Sequence, residues 1–219
     1  MVDAQHLRSV ELFQALPEDE LNALAGEADL RDLRRGDVLF SEEDEPTELF
    51  VVVEGRIAML NRSIDGRESV VALMETGDLF GEMPMFDRRN RSTDARALDS
   101  SRVIAIPYAP LRSLYEAHPE HLWQVVGMLA NRLRVMDGVL ADSVFLDVTG
   151  RTAKRLLELA GDADEFSLPV TQEELAGMVG ASRERVNKAI ASFVRLGWLE
   201  QRERRYRILR RDQLELRAR

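Results

Sequence analysis

The segment FGEMPMFDRRNRSTDARA, residues 80–97, combines a Gly-Glu pair with an Arg-Ser-Thr triplet that begins nine residues after the glutamate. A glycine leaves backbone N–H groups accessible, a glutamate can accept from a sugar hydroxyl, and an arginine beside hydroxyls suits a phosphate. The pattern predicts a site for an anionic ligand with hydroxyl groups, although surface loops also carry such residues for solubility. The candidate residues are Gly81, Glu82, Arg91, Ser92 and Thr93.

Two helix signals follow each other in VTQEELAGMVGASRERVNKAIASFVRLGWLE, residues 170–200. Thr171 and Glu174 have the spacing of a capping box, Gly180 suits a tight turn, and Ser182 is a good N-cap for the next helix. Two short helices joined by a turn that contains glycine are typical of a helix-turn-helix. The predicted helices run to about Val179 and Leu196, and their buried face comprises Leu175, Val179, Val186 and Ile190.

The other face of the second helix is polar near its N-terminus, where the base-reading side chains of a helix-turn-helix lie. An arginine there can bind guanine, a glutamate can accept from cytosine, and a lysine can donate to a second guanine. The arginine-rich tail RERRYRIL, residues 202–209, fits either a wing over phosphates or a charged edge strand. The predicted DNA-binding residues are Thr171, Gln172, Ser182, Arg183, Glu184, Asn187 and Lys188.

Charge is distributed unevenly along the 219 residues, whose formal net charge is −9. Up to Phe145 the chain has 15 basic and 27 acidic residues, hence −12, and after it 15 basic and 12 acidic residues, hence +3. Such asymmetry indicates two domains and makes the basic end the candidate for an anionic polymer.

The composition, 45% hydrophobic and 32% charged, favours a soluble globular protein. No apolar run approaches the roughly 18 residues of a membrane span, and the N-terminus lacks a signal pattern, so we expect a cytoplasmic protein without a membrane partner. Because the chain has no cysteine, disulfides, thiolate metal sites and cysteine nucleophiles are excluded. The histidines are His6, His118 and His121; the last two could share a helix face, but without supporting ligands we expect a solvated pair and no metal site.

The first candidate site lies in a region with the periodicity of β-strands. After a helical stretch interrupted at Pro17, the runs DVLFS, ELFVVVE, RIAMLNR, SVVALM and SRVIAI alternate with glycines from Leu33 to about Pro107. This pattern predicts a small antiparallel barrel or sandwich, with a hairpin turn at Asp65 and Gly66. The Gly-Glu pair and the Arg-Ser-Thr triplet therefore fall at strand ends, with a short connection between them.

A long helix is predicted next, from about Ala109 to about Val144, with a break near Pro119. Its apolar positions step by four and three residues, which is the seam of a coiled coil, and Arg132 and Arg134 flank that seam as charged edges. We expect a partner helix and hence a homodimer; the alternative is a helix packed on its own β domain. The seam comprises Leu122, Val126, Leu129, Leu133, Met136 and Leu140.

Three segments, in this order, resemble the cyclic AMP receptor protein/FNR family of transcription regulators: FGE with RST, RLRVMDGVLADSVFLDVTGR, and TQEELAGMVGASRERVNKAI. The resemblance covers nearly the whole chain. It implies an α+β fold with an N-terminal antiparallel β-roll of the cyclic-nucleotide-binding type, a long coiled-coil dimerisation helix and a C-terminal winged helix-turn-helix. The expected parts are 1–108 for the effector domain, 109–145 for the helix, 146–150 for a hinge around Gly150, and 151–219 for the DNA-binding domain.

The resemblance also implies a role for each candidate residue. In cyclic-nucleotide members, the positions of Gly81, Arg91 and Ser92 hold the cyclic phosphate, and that of Glu82 holds the ribose hydroxyl; Met83 is included in the predicted site. The residues that meet the adenine are replaced here by Met136 and Asp137, and the wing has Arg202 to Arg205 where a glycine-containing turn is usual.

Asp137 leaves the choice of base open. A carboxylate can accept one bond from adenine or two from guanine, or can pair with an arginine of its own helix. Cyclic AMP is favoured narrowly because Ser92 and the resemblance point to it, with cyclic GMP, a cyclic dinucleotide or no effector as alternatives.

The predicted function is a homodimeric transcription regulator that binds a TGTGA-like palindrome in double-stranded DNA and acts on RNA polymerase. A nucleotide sensor that works through a protein partner is the alternative. No nucleophile with its base, metal cluster or P-loop is found, so no catalytic residue is assigned and the chain is not expected to be an enzyme.

Overall fold

The computed structural model describes residues 2–8, 10–14, 16–62 and 68–219. The chain divides into two compact units, Met1–Asn61 with Ala72–Arg134, and Arg62–Val71 with Val135–Arg219. Among the residues that the structure describes, no helix combines the length and the apolar character that a membrane span requires.

The N-terminal helices are short because the sequence interrupts them. Helix α1 (Ala4–Arg8) is followed by a 3-10 turn, Glu11–Phe13, and by α2 (Glu18–Glu27). Pro17 stands at the N-cap of α2, where its missing N–H costs nothing and its fixed φ suits the entry to a helix. The apolar side chains of this segment pack into the core of the first unit; they are Leu7, Leu12, Phe13, Leu16, Leu21 and Leu24.

Eight strands of the described chain form two four-stranded sheets, ordered β1-β8-β3-β6 and β2-β7-β4-β5. Every pairing whose register the structure describes in these sheets is antiparallel. Strand β3 lies between β8 and β6. It is apolar on both faces because Leu49 and Val51 pack into one hydrophobic cluster and Phe50 and Val52 into another. The strands are β1 (Asp29–Leu33), β2 (Val38–Phe40), β3 (Glu48–Glu54), β4 (Ile57–Arg62), β5 (Glu68–Met74), β6 (Leu79–Phe80), β7 (Asp94–Ala97) and β8 (Ser101–Pro107).

Three of these strands and one helix were not predicted. Strand β1 begins before the predicted β region, and three of the five residues in its sequence DLRDL are charged; one of them, Arg31, pairs with Glu48. Strand β6 has only two residues, and β7 has the polar sequence DARA. The connection between β6 and β7 contains α3 (Met83–Asp87), with Pro84 in its first turn. The predicted turn at Asp65 and Gly66 lies outside the described residues.

The predicted long helix is present, and it is broken where proline was expected to break it. Helix α4 (Tyr108–Ala117) ends at His118, a 3-10 turn spans Pro119–His121, and α5 runs over Leu122–Phe145. The residue before a proline is disfavoured in the helical conformation, which accounts for the non-helical backbone of His118, with φ −129° and ψ 71°. All six seam positions of α5 are exposed in the single chain: Leu122, Val126, Leu129, Leu133, Met136 and Leu140.

The C-terminal part of the second unit has four helices and one small sheet in the described chain. The sheet has the order β10-β11-β9 and is antiparallel. Strand β9 and the last helix were not predicted. The elements are α6 (Val148–Ala160), β9 (Glu165–Ser167), α7 (Gln172–Val179), α8 (Arg183–Arg195), β10 (Leu199–Arg202), β11 (Arg205–Ile208) and α9 (Arg211–Arg217).

The break between α5 and α6 is narrower than the predicted hinge. Only Leu146 and Asp147 separate the two helices, and Gly150 lies buried within α6. Asp147 is the N-cap, since its Oδ1 accepts from the N–H of Gly150 at 2.8 Å, and its other oxygen accepts from Arg217. The cap explains why α6 begins at Val148 rather than after the glycine.

Candidate functional site

Gly81 connects β6 to α3, and two features of the site require a glycine there. Its φ of +77° lies in the left-handed region. A Cβ at this position would lie 2.7 Å from Nη1 of Arg91. The sequence therefore brings the Arg91 guanidinium against the backbone of Gly81, although ten residues and α3 separate them.

Arg91 points into the interior, where its exposed fraction is 4%. Its Nη1 donates to the carbonyl of Gly81 at 2.8 Å and to the hydroxyl of Tyr108 at 3.1 Å, and its Nη2 donates to the carbonyl of Glu48 at 2.6 Å. The Tyr108 hydroxyl in turn donates to the Gly81 carbonyl. These partners are two backbone carbonyl oxygens and one hydroxyl, all of which are neutral. The carboxylate of Glu48 binds Arg31 instead, in a bidentate pair.

Aromatic rings cover the Arg91 guanidinium. Its carbon lies 4.2 Å from the centroid of Phe40 and 5.6 Å from that of Phe50, which stacks on Phe80. Burial lowers the pKa of Arg91, an effect that Tyr108 and the more distant Glu48 partly offset. Burial likewise raises the pKa of Tyr108 to about 12. The site thus holds a cation that has been removed from water and is solvated mainly by neutral dipoles.

Glu82 is a buried acidic residue of the same segment, with an exposed fraction of 1%. Arg132 of α5 donates to its Oε1 through Nη1 and to the carbonyl of Leu79 through Nη2. Arg132 is predicted as a charged edge of the coiled-coil seam; in the single chain its side chain instead pairs with Glu82 inside the first unit. Arg134 is exposed.

The remaining residues of the predicted nucleotide site are less enclosed. Ser92 and Met83 are exposed and Thr93 is half-buried. Met136 and Asp137 are exposed residues of α5 that belong to the second unit. The structure therefore brings Gly81, Glu82 and Arg91 together, while a role for the two α5 residues stays a prediction.

The helix-turn-helix forms as the capping signals predicted. Thr171 and Glu174 make both bonds of a capping box, Gly180 has a φ of +67°, and Ser182 caps α8 by accepting from the Arg185 N–H. The predicted buried positions are all buried: Leu175, Val179, Val186 and Ile190.

The polar face of α8 is open to solvent. Arg183, Glu184, Asn187 and Lys188 are all exposed, and Lys188 donates to Glu184 at 2.6 Å. The hydrogen bond and charge of Lys188 lower the pKa of Glu184. Exposed pairs of this kind are weak, so both side chains can exchange partners at little cost.

Two other predicted DNA-binding residues have structural partners. The Thr171 hydroxyl belongs to the capping box, and the Gln172 amide donates to the hydroxyl of Tyr206 at 2.7 Å. The latter bond joins α7 to β11. The β10–β11 turn places the non-glycine residue Glu203 at a φ of +55°, in place of the glycine that is usual in such a turn.

Sequence reasoning missed Arg132 and Tyr108. Arg132 was predicted only as a charged edge of the seam, because its position there said nothing about Glu82, which is distant in sequence. Tyr108 is the residue that follows the last strand of the β region, and its β-strand neighbours gave no sign of a bond to Gly81.

Comparisons with known proteins identify the families of the two regions. The cyclic nucleotide-binding domain family matches residues 30–118, and the Crp-like helix-turn-helix domain family matches residues 150–217. A CRP-like cAMP-activated global transcriptional regulator of Mycobacterium tuberculosis is 36% identical over 215 residues, covering 95% of this chain and 96% of the relative.

Two further proteins extend the comparison. The cAMP-activated global transcriptional regulator Vfr of Pseudomonas aeruginosa is 34% identical over 159 residues, covering 68% of this chain and 74% of the relative. The crystal structure of the Thermus thermophilus catabolite activator protein is 27% identical, with a TM-score of 0.54, and covers 95% of this chain and 98% of that chain.

Proposed function

The chain belongs to the Crp family of transcription regulators, and on that premise we propose that cyclic AMP, bound at Gly81, Glu82 and Arg91, controls its binding to DNA. The family is one of transcription regulators rather than enzymes. The chain has a cyclic nucleotide-binding domain followed by a Crp-like helix-turn-helix. The identity of the nucleotide, the dimer and the DNA sequence are the proposed parts.

The buried guanidinium of Arg91 is the observation that carries the nucleotide proposal. A cation removed from water and bonded to neutral acceptors gains most from an anion that brings its own charge. A cyclic phosphate supplies one charge and several acceptor oxygens. Ser92 is the hydroxyl proposed for a second phosphate oxygen, while Met83 and Thr93 complete the proposed surroundings.

Glu82 is proposed to accept from the ribose 2′-hydroxyl. The bond from Arg132 uses Oε1, which leaves Oε2 for a sugar hydroxyl. Cyclic AMP is preferred over cyclic GMP because both curated relatives compared above are named as cAMP-activated. The base itself is proposed to meet Met136 and Asp137 on α5.

Calorimetric titration of nucleotide-free protein tests this proposal. We expect cyclic AMP to bind more tightly than cyclic GMP and cyclic dinucleotides, and 5′-AMP, which has an open phosphate, to serve as the matched control. Tighter binding of a guanine nucleotide would replace cyclic AMP as the effector. Absence of binding by every cyclic nucleotide would reject the assignment of the site.

The exposed face of α8 is proposed to read a palindrome with TGTGA-like half-sites. Arg183 can bind one guanine through O6 and N7, Glu184 can accept from cytosine, and Lys188 can donate to a second guanine. Asn187 lies on the same face, and Thr171, Gln172 and Ser182 lie at helix starts, where backbone N–H groups suit phosphates. Selection from random DNA should return palindromes that contain GTG; any other consensus would reject this reading.

A homodimer on the exposed seam of α5 would place two recognition helices one DNA turn, about 34 Å, apart. Leu133, exposed by 61%, lies in the middle of the seam, so Leu133→Asp should give monomers in sedimentation equilibrium. Asn131→Asp, also at an exposed position, is the control. A monomeric wild type at micromolar concentration would reject the dimer.

The proposed parts of the chain are the effector domain 1–108, the dimerisation helix 109–145, the hinge 146–150 and the DNA-binding domain 151–219. RNA polymerase is the proposed partner at promoters. Because DNA is the target, the proposed place of action is the bacterial cytoplasm.

A further inference from the structure

Three side chains that commonly bind metals meet outside both candidate sites. Glu20 lies in the first turn of α2, His118 follows α4, and His121 ends the 3-10 turn that leads into α5. One ligand atom of each side chain lies within 4.8 Å of the corresponding atoms of the other two. The sequence shows no third ligand close to the two histidines. The fold brings Glu20, almost one hundred positions away, beside them.

The separation of each imidazole from the Glu20 carboxylate suits an ion. Nε2 of His118 lies 3.3 Å from Oε1 of Glu20, and Nε2 of His121 lies 4.0 Å from Oε2 of the same carboxylate. With bonds of about 2.0–2.2 Å, neighbouring ligands of a tetrahedral zinc ion lie about 3.4 Å apart. The narrower pair is already near that spacing, and the wider pair reaches it with a movement of about 0.6 Å.

Glu20 carries a second sign of a missing ligand. Its Oε2 is buried and has no hydrogen-bond partner among the described residues. Its 4.0 Å separation from His121 is too long for a hydrogen bond. A buried carboxylate oxygen that is left unpaired is unfavourable, and a cation between the two groups would satisfy both.

The orientation of His118 also fits a metal ligand. Its Nδ1 lies 3.4 Å from Oε1 of Glu120, while its Nε2 faces Glu20. A carboxylate at one ring nitrogen fixes the tautomer and directs the other nitrogen to the metal, as is usual for histidine ligands. The ring centroids of His118 and His121 are 5.8 Å apart, and both imidazoles approach the carboxylate of Glu20.

We propose that Glu20, His118 and His121 bind one divalent first-row transition ion, for which Zn²⁺ is the probe. Two imidazole nitrogens and one carboxylate oxygen form a donor set that suits zinc and its neighbours, with positions left for water. Mg²⁺ and Ca²⁺ prefer ligand sets made of oxygen atoms, so they should not compete. The ion would fasten α2 to the turn that begins α5.

Titration of untagged, chelator-treated full-length protein tests the proposal. We expect one Zn²⁺ per chain by calorimetry, unaffected by excess Mg²⁺. Glu20→Gln, His118→Ala and His121→Ala should each weaken binding by more than tenfold, and Glu120→Gln, which removes a supporting contact, by about tenfold. His6→Ala, which removes the histidine outside the cluster, should leave the affinity unchanged.

A second measurement uses the wild-type protein alone, in case a variant fails to fold. Co²⁺ should give the visible absorption of a nitrogen and oxygen site, and one equivalent of Zn²⁺ should abolish it. Zinc binding of equal strength in wild type and in His118→Ala/His121→Ala, or loss of binding in His6→Ala, would overturn the proposal. So would Co²⁺ spectra that show only the hydrated ion.

Discussion

The proposed nucleotide site of Gly81, Glu82 and Arg91, here called the cassette, and the polar face of α8 both offer arginine to an anionic partner, but they hold it in opposite ways. Arg91 is buried, covered by aromatic rings and bonded to three acceptors of its own chain. Arg183 is exposed on a helix whose buried face anchors it. The first arginine must exchange partners to bind a ligand, while the second needs only to leave water.

This difference separates selectivity from attraction. Partner exchange at a buried cation is favourable only for a ligand that replaces every lost bond, so the cassette can reject anions of the wrong shape. An exposed arginine attracts any phosphate backbone and obtains specificity from its contacts with base edges.

Replacement of Arg91 should have the largest effect. Arg91→Ala removes the proposed phosphate partner from a site that excludes water, so cyclic nucleotide affinity should fall by at least about 100-fold, or about 2.7 kcal/mol. Calorimetry measures the loss. Because three acceptors also lose their donor, the variant should be less stable in urea.

Arg89→Ala is the matched control, since Arg89 is an exposed arginine of the same segment. If both variants bound nucleotide as the wild type does, the buried arginine would not be the anion site.

Replacement of Arg183 should have the next largest effect, and on DNA alone. Arg183→Ala should cost about 1–3 kcal/mol of specific DNA affinity and relax the preference at one guanine position, with nucleotide affinity unchanged. Binding measured by fluorescence anisotropy on sites with each base at that position gives the profile. Arg195→Ala, at the exposed C-terminal end of α8, should keep the profile. An unchanged preference at every position would contradict the role given to Arg183.

Replacement of Arg132 tests whether its ion pair with Glu82 stabilises the protein before a ligand binds. Arg132→Ala leaves the buried Glu82 carboxylate without its cation, so the free energy of unfolding should fall by about 1–2 kcal/mol in urea titrations. Arg134→Ala removes an exposed arginine of the same helix and should change stability by less than about 0.5 kcal/mol. Equal stability of the two variants would show that the Glu82 pair contributes nothing.

Replacement of Asp137 should have the smallest effect. It tests whether this residue of α5, rather than the cassette, determines which base the nucleotide must carry. Asp137→Asn gains a donor, so adenine binding should strengthen and guanine binding should weaken, each by more than twofold. Paired titrations with cyclic AMP and cyclic GMP measure both changes. If neither affinity moves by twofold, well under 1.4 kcal/mol, Asp137 does not read the base.

The parts of the fold that depend on neighbouring residues were predictable from the sequence. The capping box of Thr171 and Glu174, the turn at Gly180 and the cap at Ser182 are local signals, and the structure contains all of them. The grouping of Gly81 with Arg91 was likewise visible as chemistry within a short segment.

The parts that depend on distant partners were not predictable. Strand β1 can contain the charged residue Arg31 because that side chain has a partner, Glu48, on β3. Strand β7 buries Asp94, whose Oδ1 accepts from the N–H of Glu42. The hydrophobic periodicity and strand propensity of a segment do not indicate which distant residue it pairs with. The same reason hid the carboxylate that joins His118 and His121, because Glu20 lies on a helix near the other end of the first unit's sequence.

The hydroxyl of Tyr108, shared between Gly81 and Arg91, has a thermodynamic consequence. Tyr108 is the first residue of α4, so a phosphate that recruits the Arg91 donors also changes what the start of that helix is bonded to. Under the proposed function, occupancy of the cassette and the arrangement of α4 are linked by one coupling free energy. Linkage is reciprocal: a restraint on α4 that favours the rearranged hydroxyl raises nucleotide affinity by the factor with which nucleotide favours that arrangement.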